Sequence, residues 1–143
     1  MRYLTRREAM MFLGVSVLGC RWLPTGRAKH RPLDDVAVIG LGLMGGEIAG
    51  YLARRGSHVY GVDIASKARQ RAARQGLRGV YAHIDPLPVR LGTIIEAVPE
   101  DVSLKGSILE QLSNHVSHDT CLATISSTIP CSSFADRVSH PER

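Results

Sequence analysis

From residue 36 onward the chain alternates between short, continuous apolar runs and longer stretches whose apolar residues recur every three or four positions. Val36-Ala37-Val38-Ile39 is apolar throughout and mostly β-branched, which predicts a parallel strand buried on both faces. A helix from about Met44 to Arg55 follows and closes in the turn Arg54-Arg55-Gly56. His58–Val62 reads as a second strand, and residues 65–75, "ASKARQRAARQ", as a solvated helix closed by Gly76. Gly79–Ala82 is a short third strand, and the two prolines of "HIDPLPVRLG" make that stretch a loop. Thr93–Val98 is a fourth strand stopped by Pro99. Asp101 is placed to cap the next helix, on which Leu104, Ile108 and Leu112 share one face. Gly106 weakens that helix by about 1 kcal/mol relative to alanine. Cys121–Thr124 is a fifth strand, followed by the serine-rich turn "ISSTIP". Strands and helices in alternation predict an α/β fold, a doubly wound parallel sheet in a single domain, with ligands at the carboxyl ends of the strands.

Charge separates this domain from what precedes it. The chain has 143 residues and a net charge of +5, yet residues 1–32 carry +6 and residues 33–143 carry −1. The domain therefore has no basic excess with which to neutralise phosphates, and a nucleic-acid partner is not expected. Residues 1–32 form a leader with a basic start, an apolar run from Ala9 to Gly19 and a polar stretch ending in small residues. The Arg6-Arg7 pair gives it the pattern of a twin-arginine signal. An N-terminal extension, with Met10 and Met11 as internal starts, explains the same residues equally well. The apolar run is too short to span a membrane. Three cysteines, Cys20, Cys121 and Cys131, fit neither a disulfide framework nor a metal site. Cys121 and Cys131 are expected to pack as small apolar residues beside the sheet.

The candidate chemistry lies after the first strand. Gly40-Leu41-Gly42-Leu43-Met44-Gly45 is G-x-G-x-x-G, set between a strand and a helix as a dinucleotide turn requires. Gly40 permits the tight turn, Gly42 lets a pyrophosphate approach the backbone, and Gly45 lets helix and strand pack closely. The helix N-terminus then presents free N–H groups to the anion. Asp63 ends the second strand 23 positions after Gly40, where an acid binds the adenosine ribose hydroxyls. Its charge repels a 2′-phosphate, so NAD is favoured over NADP. This is a Rossmann-type arrangement.

From Val36 to its end the chain resembles the NAD-binding domain of the 3-hydroxyacyl-CoA dehydrogenases. "IIEAVPEDVSLKGSILEQL" is similar to the family's acidic strand-to-helix segment, and "LATISSTIPCSSFADRVSHPER" to its serine turn and following helix. The resemblance implies hydride transfer between NAD and a 3-hydroxyacyl thioester, a small-molecule reaction of fatty acid metabolism, in the cytoplasm; export by the twin-arginine route is the alternative that the leader keeps open. It implies that Gly40, Gly42 and Gly45 hold the pyrophosphate, lined by Leu43 and Met44, and that Asp63 holds the ribose. Glu100 and Lys105 match residues that reach the nicotinamide half. Ser127 matches the catalytic serine that hydrogen-bonds the substrate's 3-oxygen. Without the resemblance, Glu100 reads as an acid favouring a helix N-terminus, Lys105 as a solvated charge, and the serine pair as turn chemistry.

The chain departs from the family at several points. Ile125 stands where the family usually has asparagine. Only 32 residues separate Asp63 from Glu96, which leaves no room for the family's longer helical hairpin. At "HPER" the chain stops, where the family continues into a strand with its catalytic histidine and then a helical domain, so residues 33–143 read as a truncated NAD-binding domain, incomplete for catalysis alone. Two other readings stay open: a non-catalytic NAD-binding module, and an NAD-dependent dehydrogenase of a free hydroxyacid. No metal is expected, and the sequence fixes no oligomeric state.

Overall fold

The computed structural model describes residues 35–143; the leader, its arginine pair and Cys20 lie outside the described residues. The elements are β1 (Asp35–Ile39), α1 (Leu43–Arg54), β2 (His58–Val62), α2 (Ser66–Ala73), β3 (Gly79–Tyr81), β4 (Thr93–Glu96), α3 (Val102–His115) and β5 (Cys121–Thr124). All strands pair in parallel, in the order β3-β2-β1-β4-β5. The chain builds outward from β1 to β3, then returns to the other side of β1 and builds outward again. The reversal leaves a crevice at the carboxyl ends of β1 and β4, the place where such sheets bind ligands.

The apolar run of β1 is central because it serves both faces of the sheet. Side chains alternate along a strand. Val36 and Val38 face α1 and α2, in a cluster with Leu41, Ala49, Val59, Ala68 and Ala72. Ala37 and Ile39 face the opposite side, with Ile94, Leu109, Leu112 and Phe134. The loop between β3 and β4 completes that second cluster by burying Ile84, Leu87 and Leu91, so a stretch irregular by its prolines is still part of the core.

Three expectations need correction. First, the buried stripe of α3 is Lys105, Gly106, Leu109, Leu112 and Ser113, while Leu104 is exposed. The helix is rotated so that Lys105 meets Glu96, and Leu104 and Val102 turn outward as a result. Gly106 leaves space there for the Arg137 guanidinium, which a Cβ would approach to 2.8 Å. Second, Cys121 and Cys131 are both exposed rather than packed in the core. Cys121 lies on an edge strand with a single neighbour, and Cys131 lies in a surface turn. Third, the serine turn is followed by two 3₁₀ turns, Cys131–Ser133 and Ala135–Arg137, rather than a helix. Phe134 between them breaks helical geometry at φ −138°, ψ 3° as its ring enters the core.

The glycine turn is tied to the sheet by close contact. Gly40 has φ +90°, and a Cβ there would lie 2.6 Å from the Ala97 carbonyl oxygen. A Cβ on Gly45 would lie 1.9 Å from the Gly40 carbonyl oxygen, whereas one on Gly42 would meet nothing within 4 Å. Gly45→Ala is therefore expected to destabilise the fold by about 3 kcal/mol or more, since helix and turn must separate. Gly42→Ala is expected to stay within about 0.5 kcal/mol. Urea midpoints of the two variants provide the measurement.

Candidate functional site

The carboxyl ends of β1 and β2 form one half of the site. β1 runs into the glycine turn, where the Gly40 N–H donates to the Val62 carbonyl at 2.8 Å. Gly42 occupies the N-cap position of α1, with no side chain capping the helix and no acid in its first turn. The first N–H groups of α1 thus keep their capacity for an external anion. Leu43 and Met44 stand exposed on this turn. Asp63 closes over it from β2: Oδ2 accepts from the Leu41 N–H at 2.7 Å and Oδ1 from the Ala65 N–H at 2.7 Å. Each oxygen retains a further lone-pair direction, as a sugar diol requires. Open space at Gly42, an uncapped helix and a half-buried carboxylate beside them fit the diphosphate and ribose of a dinucleotide.

The other half lies at the ends of β4 and β5, and its anchor is Glu96. The alternation of β4 turns Glu96 to the α3 side of the sheet, where both it and Lys105 are 0% exposed. Lys105 Nζ lies 3.1 Å from each Glu96 carboxylate oxygen, 3.1 Å from the Val98 carbonyl and 3.2 Å from Glu100 Oε2. Glu96 also accepts from the Val98 N–H at 2.6 Å and the Thr124 hydroxyl at 2.7 Å. One carboxylate therefore binds β4, α3 and β5 together.

Glu100 extends this network to the serine turn. Its Oε1 accepts from the Ser126 hydroxyl at 2.5 Å, the Thr128 hydroxyl at 2.8 Å, the Thr128 N–H at 3.1 Å and the Ser127 N–H at 3.2 Å. The Ser126 and Thr128 hydroxyls, with Lys105 behind, hold the Glu100 carboxyl far below the ordinary carboxylate range. Ser127 is exposed, and its hydroxyl makes no hydrogen bond among the described residues.

The structure brings Gly40, Gly42, Gly45 and Asp63 together as the sequence suggested, and sets Glu100 beside Ser127. Lys105 is not a solvated charge: its ammonium is enclosed by two carboxylates and a carbonyl. Sequence reasoning missed Glu96, whose only signal was an acid inside an otherwise apolar strand, read as Thr93–Val98 where the structure ends it at Glu96. It also left the basic residues of α2 as an exposed face. Arg69 Nη1 in fact donates to the Asp63 and Ile64 carbonyls at 2.8 Å each, and Arg71 Nη2 lies 3.4 Å from the Leu41 carbonyl. His58 finds a carboxylate, Asp35, at 3.2 Å, but at the amino ends of β1 and β2, the edge opposite the site. His140 pairs with Glu142 at 3.3 Å and packs edge-on against His118, which precedes β5.

The family model described as "3-hydroxyacyl-CoA dehydrogenase, NAD binding domain" matches residues 35–85 and 83–143. The chain belongs to this family. The 5-formyl-3-hydroxy-2-methylpyridine 4-carboxylate 5-dehydrogenase of Mesorhizobium japonicum is 32% identical over 132 residues, covering 78% of this chain and 42% of that protein. A solved structure of a dehydrogenase of that name, described as an NAD+-dependent dismutase, superposes with TM-score 0.67 at 27% identity, over 77% of this chain and 42% of that one. The 3-hydroxybutyryl-CoA dehydrogenase of Escherichia coli K12 gives TM-score 0.66 at 25% identity, over 78% of this chain and 28% of that one. The chain thus spans less than half the length of these relatives. As in the NAD-binding domain family, the cofactor is NAD. Among the described residues no helix is long and apolar enough to cross a membrane.

Two outcomes follow from the Glu96 network. Lys105→Met leaves Glu96 buried without its counter-charge and is expected to cost about 3–5 kcal/mol. Adding Glu96→Gln removes the orphaned charge and should recover most of that loss, as read from urea unfolding. Acid lability should also depend on Glu100. Unfolded, its carboxyl takes up a proton near about pH 4.3; folded, it stays ionised to far lower pH. The unfolded chain then binds more protons, so this contribution is whole at neutral pH and declines as pH falls below about 5. Glu100→Gln should flatten the loss of stability between about pH 5 and pH 3, measured by chemical denaturation at each pH.

Proposed function

We propose that residues 33–143 hold NAD along the carboxyl edge of the sheet, and that the protein containing them transfers hydride between NAD and the 3-hydroxyl carbon of an acyl thioester. The observation that supports this reading best is the pairing of an uncapped α1 N-terminus with Asp63 at the glycine turn. Gly40, Gly42 and Gly45 would seat the pyrophosphate against the α1 N–H groups, with Leu43 and Met44 at its side. Asp63 would accept from the adenosine ribose hydroxyls. When bound, NAD supplies the hydride-accepting nicotinamide.

At the other end, Glu100 would face the nicotinamide ribose while fixing the serine turn. Lys105 acts through it, because an ammonium enclosed by Glu96 and Glu100 orients those carboxylates rather than presenting a charge of its own. Ser127, with its hydroxyl exposed, would donate to the substrate's 3-oxygen and so favour charge developing there. No histidine among the described residues is assigned the role of general base.

The similarity to a pyridine-carboxylate dehydrogenase supports a second reading, oxidation of a hydroxyl on a substrate not attached to coenzyme A. NAD and acyl thioesters are cytoplasmic pools, which supports a cytoplasmic site of action and a place in fatty acid metabolism; the leader, residues 1–32, supports export of the folded protein as the alternative.

Isothermal titration of the chain with both cofactors tests the reading of the adenosine end. NAD is expected to bind at least about tenfold more tightly than NADP, because Asp63 opposes a 2′-phosphate. Asp63→Lys should weaken NAD binding through loss of the ribose acceptor. Equal or tighter binding of NADP by the unaltered chain would refute the role given to Asp63.

A further inference from the structure

Two guanidinium groups stand at the same rim as Asp63, and the cofactor reading does not use them. Arg69 fastens the start of α2 by donating from Nη1 to the Asp63 and Ile64 carbonyls, both at 2.8 Å. Its remaining nitrogens make no hydrogen bond among the described residues. Arg71 is exposed, and the one hydrogen bond its guanidinium makes among the described residues, to the Leu41 carbonyl, is long at 3.4 Å. Such a contact is weak, and its geometry leaves the guanidinium free to turn toward a better acceptor. Leu41 is also the residue whose N–H binds Asp63 Oδ2. A carboxylate and a guanidinium therefore meet the two polar ends of one residue in the turn. They form no ion pair among the described residues: the Asp63 oxygens accept from the Leu41 and Ala65 N–H groups, and the Arg71 guanidinium is directed at the Leu41 carbonyl. Neither arginine pairs with a carboxylate among the described residues; Arg71 is exposed and Arg69 half-buried.

We propose that Arg69 and Arg71 make the adenosine rim a masked site for a 2′-phosphate, and that Asp63 alone keeps the phosphorylated cofactor out. This rests on the reading that Asp63 binds the adenosine ribose. A phosphomonoester carries nearly two negative charges and three acceptor oxygens, and arginine forks bind such groups in charge-assisted pairs. With the carboxylate in place, a 2′-phosphate meets like charge at the closest point of the rim. With the carboxylate replaced by a small neutral residue, the same phosphate meets two guanidinium groups and the uncovered N–H groups of Leu41 and Ala65.

The test is titration of the chain with NAD and with NADP in four forms: unaltered, Asp63→Ser, Asp63→Ser with Arg71→Gln, and Arg69→Gln with Arg71→Gln. Asp63→Ser is expected to bind NADP about tenfold more tightly than the unaltered chain does, and more tightly than it binds NAD. Adding Arg71→Gln should cancel the gain. With Asp63 present, the double arginine variant should lower the ratio of NADP to NAD affinity, which keeps the proposal open to refutation even where Asp63→Ser does not fold. NAD binding by the unaltered chain with no gain for NADP in folded Asp63→Ser would overturn this proposal alone. A gain that survives Arg71→Gln, or an affinity ratio unmoved in the double arginine variant, would also overturn it. Failure of the unaltered chain to bind NAD would overturn the cofactor reading at this rim and the proposal with it.

Discussion

Lys105 and Glu96 meet in the interior at the carboxyl ends of β4 and β5, and most of the site's second half is held in place by that contact. A buried ion pair is costly to desolvate, and it persists where other hydrogen bonds complete both partners. Here the Val98 N–H and the Thr124 hydroxyl complete Glu96, while the Val98 carbonyl and Glu100 complete Lys105. The pair therefore fixes the rotation of α3, the path of the chain from β4 to α3, and the spacing between β4 and β5. Hydrophobic contacts could pack α3 on the sheet in several rotations; a carboxylate with three kinds of partner admits one.

The glycine turn depends on a different constraint, which is contact rather than charge. Gly40 and Gly45 approach each other and Ala97 so closely that neither position admits a side chain. Since Ala97 directly follows Glu96, the segment that carries the ion pair on one face supports the glycine turn on the other. The two halves of the site are set by adjacent residues of one strand end, which favours a fixed distance between them.

Much of this fold could be read locally. The strands announced themselves as apolar runs, and the glycine turn and Asp63 by spacing, because backbone conformation and close approach restrict residue type at the position itself. The parallel, doubly wound sheet followed from the alternation of elements. What stayed hidden depended on partners distant in the chain. The burial of Lys105 needs Glu96 nine residues earlier and Thr124 beyond the helix, so a lysine among serines and leucines reads as surface. Arg69 and Arg71 look like any exposed basic face until α2 is docked beside the glycine turn. The stretch after the serine turn has helical composition, yet Phe134 enters the core and Arg137 is drawn onto Ser103, Ser107 and Glu110 of α3, which replaces a helix by 3₁₀ turns.

A single device recurs along the carboxyl edge. Asp63 gathers the N–H groups of Leu41 and Ala65, Glu96 that of Val98, and Glu100 those of Ser127 and Thr128. Each is an acid at or just past the end of a strand, and each gathers the backbone of the turns beside it. Peptide N–H groups that would otherwise compete for water are aligned before any ligand arrives, so less ordering remains to oppose binding. The same carboxylates lend the edge negative charge, whereas the first turn of α1, uncapped and without an acid, offers an anion its backbone N–H groups. Acids organise the loops and leave the helix end bare; an acid in the first turn of α1 would leave the fold possible and place like charge where an anion is otherwise favoured.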